Sequence, residues 1–76
     1  MARYTTVEVF TFNNLRDSRS LVVDTSVTLE AWNGEAFIAD EKSPLTTGAY
    51  EIFTKGLKVR ITPSADGYLI EEGEMK

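Results

Sequence analysis

Residues Val27–Ala39 read VTLEAWNGEAFIA and carry the clearest structural signal in the chain. Runs of alternating polar and apolar residues flank Asn33 and Gly34, the dipeptide that best accommodates a tight two-residue turn. Such alternation is typical of a strand with one buried face. The segment therefore predicts an antiparallel hairpin with Asn33 and Gly34 as its loop.

The register of this hairpin divides its side chains between two faces. With a two-residue loop, Trp32 lies opposite Glu35, and Glu30 lies opposite Phe37. Successive side chains of a strand point to opposite faces. The apolar face holds Val27, Leu29, Ala31, Ala36 and Ile38. The mixed face holds Thr28, Glu30, Trp32, Glu35 and Phe37.

A second hairpin is predicted between Ala49 and Thr62, with its turn at Lys55 and Gly56. Lysine is a poor choice for the positive dihedral of a primed turn, so a type I turn with a glycine bulge fits equally well. A two-residue loop brings apolar residues together on one face and charged or aromatic residues together on the other. The predicted pairs are Ile52 with Val59, Tyr50 with Ile61, Glu51 with Arg60, and Phe53 with Lys58.

The N-terminal segment Arg3–Phe12 is rich in threonine, valine and aromatic residues, which favour a strand. Its register is ambiguous, because Val7 and Val9 point to one side while Phe10 and Phe12 point to the other. We expect either that both faces of this strand are covered or that a bulge interrupts it.

Polar segments separate the strands in the first half of the chain. Asn13–Ser20 is predicted to be an exposed loop in which Arg16 and Arg19 contact water. Leu21–Val23 is a short strand, and a turn at Asp24–Ser26 separates it from the first hairpin.

The second half of the chain is predicted to complete a meander. Asp40–Gly48 is a loop, Pro63–Gly67 is a turn, and Tyr68–Glu72 adds a third strand to the second hairpin. Apolar residues at helical spacing never persist for more than a turn. The predicted fold is all-β, a small barrel or sandwich of about six short antiparallel strands in a single domain, residues 1–76.

Composition limits how so short a chain can be stabilised. Domains of 76 residues often need disulfides, metals or partner subunits. The chain has neither cysteine nor histidine, which excludes a disulfide and the usual zinc sites. Association with other protein subunits remains, and we expect a homo-oligomer.

The net charge of -4 disfavours general phosphate binding. Alternation through residues Tyr4–Phe12 leaves no continuous apolar stretch of the kind that a signal peptide or a membrane span requires. We therefore expect a soluble cytoplasmic protein that is unprocessed at its N-terminus and has no membrane partner.

Candidate catalytic and metal-binding residues are few, because the commonest general base and the strongest thiol nucleophile are both missing. Asp40–Glu41 and Glu71–Glu72 are adjacent acids, but strand neighbours point to opposite faces and loop acids are usually solvated. Asp24 and Asp40 lack the spaced series of acids found in a calcium loop. We predict no catalysis, no metal and no cofactor.

Trp32 and Phe37 are diagonal neighbours on the mixed face of the first hairpin. Either the strand Tyr4–Phe12 packs over them in a two-layer core, or they anchor a protein interface with a polar rim. The candidate interface residues are Trp32, Phe37, Glu30, Glu35 and Thr28.

Two other functions suit a small acidic β domain. Trp32, Phe37 and Phe53 beside Lys58 and Arg60 could stack the bases of single-stranded nucleic acid, as in an OB-like barrel. The acidic charge balance argues against nucleic acid. The other alternative is a small inhibitor that binds one target protein by surface mimicry.

Three segments resemble small all-β accessory proteins of tailed bacteriophage virions: Trp32–Gly34, Ser43–Tyr50 and Val59–Pro63. The likeness covers roughly residues 27–67. Such proteins decorate capsids or join head and tail parts, so the resemblance implies a location in the virion beside capsid or tail proteins. We therefore predict a non-catalytic structural protein of a larger symmetric assembly.

Overall fold

The computed structural model describes residues 1–71, which form seven β-strands. No helix within these residues is long and apolar enough to cross a membrane. The strands are β1 (Ala2–Tyr4), β2 (Glu8–Thr11), β3 (Ser18–Trp32), β4 (Phe37–Ala39), β5 (Leu45–Phe53), β6 (Lys58–Pro63) and β7 (Tyr68–Ile70). All their pairings are antiparallel, and the sheet curls into a half-barrel. The predicted all-β fold class is confirmed.

β3 is the centre of the sheet and pairs with four other strands. Its first half lies between β5 and β7, and its second half lies between β4 and β6. β1 extends the sheet beyond β7, and β2 extends it beyond β6. A register shift between Val23 and Ser26 marks a bulge, which allows a strand of 15 residues to bend and serve both halves.

The predicted turn at Asp24–Ser26 is wrong, because the chain remains extended there within β3. The polar groups of this segment bond to a facing loop. The backbone N–H of Asp24 donates to the Gly67 carbonyl at 3.2 Å, and the hydroxyl of Thr25 donates to the Asp66 carboxylate at 2.6 Å. These partners satisfy the polar groups of the segment while the chain stays extended, so no turn is needed.

The chain does reverse at Lys55–Gly56, but the two strands on either side do not pair with each other. β5 pairs with β3 and ends with Phe53 opposite Ser18, whereas β6 begins at the other end of β3, with Val59 opposite Ala31. The predicted register of the second hairpin is therefore wrong. An isolated hairpin is marginal in water, and pairing with β3 places both strands on a larger sheet.

The predicted meander is also wrong, because its consecutive strands do not pair with each other. β7 pairs with β1 and β3, and β6 is not its neighbour. The last residue of the predicted strand Tyr68–Glu72 lies outside the described residues. The loop predicted over Asp40–Gly48 ends earlier in the structure, because β5 begins at Leu45.

The predicted strand Arg3–Phe12 is divided into β1 and β2, which residues 5–7 separate. Val7 and Val9 are about half exposed, whereas Phe10 and Phe12 are buried. The interruption lets β1 pair with β7 while β2 pairs with β6. The aromatic side of the segment faces the core.

The core lies inside the curled sheet. The ring of Tyr4 packs 5.1 Å from that of Phe10 and 5.9 Å from that of Tyr68, so aromatic contacts join β1 to both β2 and β7. Full burial of one large apolar side chain contributes about 1.5–3 kcal/mol. The core residues are Phe10, Phe12, Leu21, Val23, Val27, Leu29, Leu45, Ile52, Val59, Ile61, Tyr68 and Ile70.

Arg19 is fully buried, which corrects the prediction that it contacts water. It belongs to β3, on the same side as the core residue Leu21, because the strand begins before the predicted loop ends. Its Nη1 donates to the hydroxyl of Thr54 at 2.8 Å, and its Cζ lies 4.4 Å from the ring centroid of Phe12. The aliphatic stem and planar head of arginine make such burial feasible.

Replacing the buried phenol of Tyr68 tests the packing of the core. Its hydroxyl has no hydrogen-bond partner among residues 1–71, and burial raises the pKa of Tyr68 above its ordinary value. Because an unpaired buried hydroxyl is unfavourable, Tyr68→Phe is expected to raise the free energy of unfolding by about 1 kcal/mol. Tyr50→Phe is the matched control, since it loses a 2.8 Å bond to the Thr46 carbonyl and is expected to destabilise. Urea denaturation of both variants measures the two effects, and equal destabilisation would contradict the burial argument.

Truncation of Arg19 is expected to destabilise the fold strongly. Arg19→Ala leaves a cavity beside Phe12 and an unpaired hydroxyl on Thr54, so we expect a loss of about 2–4 kcal/mol. Arg3→Ala serves as control, because Arg3 forms an exposed ion pair with Asp24 and its removal is expected to change stability little. Equal denaturation midpoints for these two variants would refute the structural role of Arg19.

Candidate functional site

The first hairpin exists as β3 and β4, but its loop is longer than predicted. Trp32 lies directly opposite Phe37, so residues 33–36 form the loop and the predicted two-residue register is wrong. The side chain of Asn33 explains the difference, since its Oδ1 accepts hydrogen bonds from the backbone N–H groups of Glu35 and Ala36, each at 2.8 Å. The Asn residue closes a wider loop instead of occupying a tight turn.

Trp32 and Phe37 form a direct cross-strand pair in this register. Their ring centroids are 5.1 Å apart with an interplanar angle of 61°, an edge-to-face arrangement. Such pairs contribute about 0.5–1.5 kcal/mol beyond the area they bury. Trp32 keeps 37% of its surface exposed. The pair therefore stiffens the end of the hairpin and still presents an aromatic surface to solvent.

Arg60 of β6 connects this pair to the middle of β3. Its Nε and Nη2 donate to the two carboxylate oxygens of Glu30 at 2.9 and 3.0 Å, and its Cζ lies 4.3 Å from the ring centroid of Phe37. The predicted partner of Arg60, Glu51, instead accepts hydrogen bonds from the hydroxyls of two serines of β3. The two-pronged bond to Glu30 fixes the guanidinium plane over the ring.

Lys58 completes the arrangement from the start of β6. Its Nζ lies 5.1 Å from the ring centroid of Trp32, within the range of a cation–π interaction. The predicted contact of Lys58 with Phe53 is absent, because Phe53 lies on β5 opposite Ser18 and is 65% exposed. We call the five joined side chains the outer cluster: Glu30, Trp32, Phe37, Lys58 and Arg60.

The two remaining candidate interface residues lie at the margin of the outer cluster. Thr28 is exposed on β3 opposite Thr62, and Glu35 is exposed in the loop of the hairpin. Thr28 lies on the same side of β3 as Glu30 and Trp32, because alternate residues share a face. The sequence pattern therefore placed all five candidates on or beside one surface.

The N-terminal strands do not cover this surface. Phe10 and Phe12 point into the core, with their ring centroids 5.9 Å apart. β2 instead lies beside β6 and places the half-exposed Val9 next to Arg60. Of the two interpretations of Trp32 and Phe37, the structure excludes a two-layer core with β1 and β2 packed over them.

The outer cluster differs in charge from the whole protein. With Glu35 it contains two carboxylates and two cations and so has no net charge, whereas the chain has a net charge of -4. The hydrogen bond from Arg60 lowers the pKa of Glu30, and the same bond raises the pKa of Arg60. Both groups therefore stay charged over the whole physiological pH range.

Three of the acidic residues weighed for catalysis and calcium, Asp24, Asp40 and Glu71, have local structural partners. Asp24 forms an ion pair with Arg3, and Asp40 accepts the backbone N–H of Lys42 at 2.9 Å. Glu71 pairs with an arginine at 2.8 Å, and this bond lowers its pKa. The neighbour of Glu71 in the predicted carboxylate pair lies outside the described residues. Within residues 1–71 no three acidic side chains gather as a metal site would require.

A cleft of about 370 Å³ between β5 and the second half of β3 was missed by the sequence interpretation. Its floor includes Leu29, Leu45 and Ile52, and Val59 of β6 lines it as well. The cleft exists because β5 and β6 do not pair. The cleft could not be predicted from the sequence, because the local pattern favours a hairpin in which β5 pairs with β6.

Comparison with models of known protein families, with curated proteins and with solved structures gives no match.

Neutralising Glu30 is expected to loosen the outer cluster in a pH-dependent manner. Because the folded-state pKa of Glu30 is lowered, the stabilisation by its ion pair is complete above the ordinary Glu pKa of about 4.3 and is lost as pH falls through the folded value. Glu30→Gln should therefore melt at a lower temperature than the wild type at about pH 7, and the difference should vanish at strongly acidic pH.

Glu35→Gln is the control for this experiment, since it removes the same charge from the loop of the hairpin and should leave the melting temperature unchanged. A difference between wild type and Glu30→Gln that is constant across the acidic range would contradict the role of the ion pair.

Proposed function

We propose that the protein is a non-catalytic structural subunit that associates with copies of itself through the outer cluster. The observation that carries the proposal is the rigidly held aromatic pair of Trp32, which is exposed, and Phe37, which is half-buried. Interface hot spots are enriched in tryptophan and arginine, and side chains that are already ordered lose less entropy on binding. Trp32 and Arg60 are both ordered by neighbours in the free chain.

Charge supports self-association through this surface. Two copies of an acidic chain repel each other, but the outer cluster together with Glu35 has no net charge and contains both signs. A twofold contact could therefore place Lys58 or Arg60 of one copy near Glu35 of the other. On folding, a domain of 76 residues also buries a smaller fraction of its surface than a larger domain does, so contact with partner subunits would add stability.

The nature of the assembly is a further part of the proposal. The resemblance of residues 27–67 to phage virion accessory proteins supports a place in a virion, in contact with capsid or tail proteins. This part rests on the sequence resemblance alone, whereas self-association also draws on the geometry of Trp32 and Phe37.

The geometry favours a protein partner over single-stranded nucleic acid. Lys58 and Arg60 each lie over an aromatic ring, at the position that a stacked base would take. Arg60 is also neutralised by Glu30. Phe53, the third aromatic residue of the nucleic-acid hypothesis, lies outside the outer cluster.

Light scattering of the purified protein tests the proposal. We expect a stable multimer for the wild type and a shift towards the monomer for Trp32→Ala, with a smaller effect on the melting temperature. Phe53→Ala is the control, because this aromatic side chain is more accessible than Trp32, at 65% against 37%, but lies on another strand. A monomeric wild type, or a multimer that Trp32→Ala leaves intact, would overturn the proposal.

Fluorescence gives a second readout that requires no mutation. The chain has a single tryptophan, so its emission reports on Trp32 alone. Dilution should dissociate the multimer and shift the emission to longer wavelength as the indole becomes hydrated. Emission that stays constant while the molecular mass falls would show that Trp32 lies outside the interface.

A further inference from the structure

β5 has one edge without a strand partner among residues 1–71. It pairs with β3 along Leu45–Phe53 and with no other described strand. Such an edge exposes backbone N–H and C=O groups that can pair with another chain. Natural edges are often protected by lysine or proline, and Leu45–Phe53 contains neither. At nine residues, β5 is long enough to receive an added strand.

The apolar cleft lies beside this edge. Leu29, Leu45 and Ile52 are the three most exposed members of the core, at 7%, 6% and 8%, and all three line the cleft. The part of the core that remains exposed to solvent is therefore concentrated at the cleft. Apolar side chains from a strand laid along β5 could enter the cleft and cover these residues.

The charges around the cleft indicate what kind of segment fits. The charged residues that line it are one cation, Lys42, and four acids, so its rim is acidic; the acids are Glu30, Asp40, Glu41 and Glu51. Among residues 1–71, Glu51 is bonded to serine hydroxyls, which leave its charge uncompensated. The acidic rim disfavours phosphate groups and disfavours a second copy of the same edge, while it favours lysine or arginine side chains.

We infer that the cleft and the free edge of β5 bind an extended segment of a different protein, with apolar side chains that alternate with basic ones. The segment adds a strand to β5. Its apolar side chains occupy the cleft, and its basic side chains meet the acidic rim. This site shares Glu30 with the outer cluster but not the aromatic pair Trp32 and Phe37, so one copy of the protein can bind both a second copy and a different protein.

A seven-residue peptide of alternating valine and lysine is the probe for this site. Titration into isotope-labelled protein, followed by NMR of the backbone amides, should shift the signals of Leu45–Phe53 and Val59. A valine–glutamate peptide and a serine–lysine peptide are the matched controls, and both are expected to bind at least about tenfold more weakly, which corresponds to about 1.4 kcal/mol.

Two variants separate this site from the proposed self-association. The double substitution Glu41→Lys and Glu51→Lys changes two exposed side chains and should weaken binding of the valine–lysine peptide at least about tenfold. Trp32→Ala should bind the peptide as tightly as the wild type, whatever its oligomeric state. Absence of amide shifts on β5, equal binding of either control peptide, or shifts confined to the outer cluster would each overturn the inference.

Discussion

The structure depends on one long strand that pairs along both of its edges. β3 contacts four other strands, and its bulge between Val23 and Ser26 divides it into two halves that belong to two parts of the curled sheet. Its inward side chains supply the centre of the core on either side of the bulge. A short chain without disulfides obtains a continuous core in this way, because one backbone holds both halves in register.

Both surface features follow from where the neighbouring strands meet β3. β4 and β6 flank its second half, and this position brings Glu30 and Trp32 between Phe37 on one side and Arg60 on the other. β5 pairs with β3 only as far as Val27, and the apolar cleft lies between β5 and the part of β3 that follows. The neutral aromatic surface and the acidic cleft are therefore two consequences of a single strand arrangement.

Local sequence patterns predicted most of the regions that form strands, but neither the continuity of β3 nor the long-range pairing of the strands. Alternation from Val27 to Ala39 correctly located the first hairpin and the shared face of Trp32 and Phe37, because these contacts join residues close in sequence. The predicted pairs of β5 with β6 were chemically compatible, yet β3 is the partner of both strands. Compatible side-chain pairs cannot identify a partner when several strands offer them.

Arg19 shows a second limit of the sequence pattern. Its polar neighbours indicated a loop, and only the start of β3 at Ser18 directs its side chain inward, against Phe12 and Thr54. The bond to Thr54 joins residues 35 positions apart in the chain, so no local rule could reveal it. The bond between Arg60 and Glu30 could not be predicted from local sequence either, because it depends on β6 lying beside β3.

The most direct test of the account is the pattern of nuclear Overhauser contacts between backbone protons. The account predicts cross-strand contacts between β3 and β5 at Leu21 and Tyr50, and between β3 and β6 at Leu29 and Ile61. Contacts that instead join β5 directly to β6 as adjacent strands, with none from β3 to β5, would contradict it.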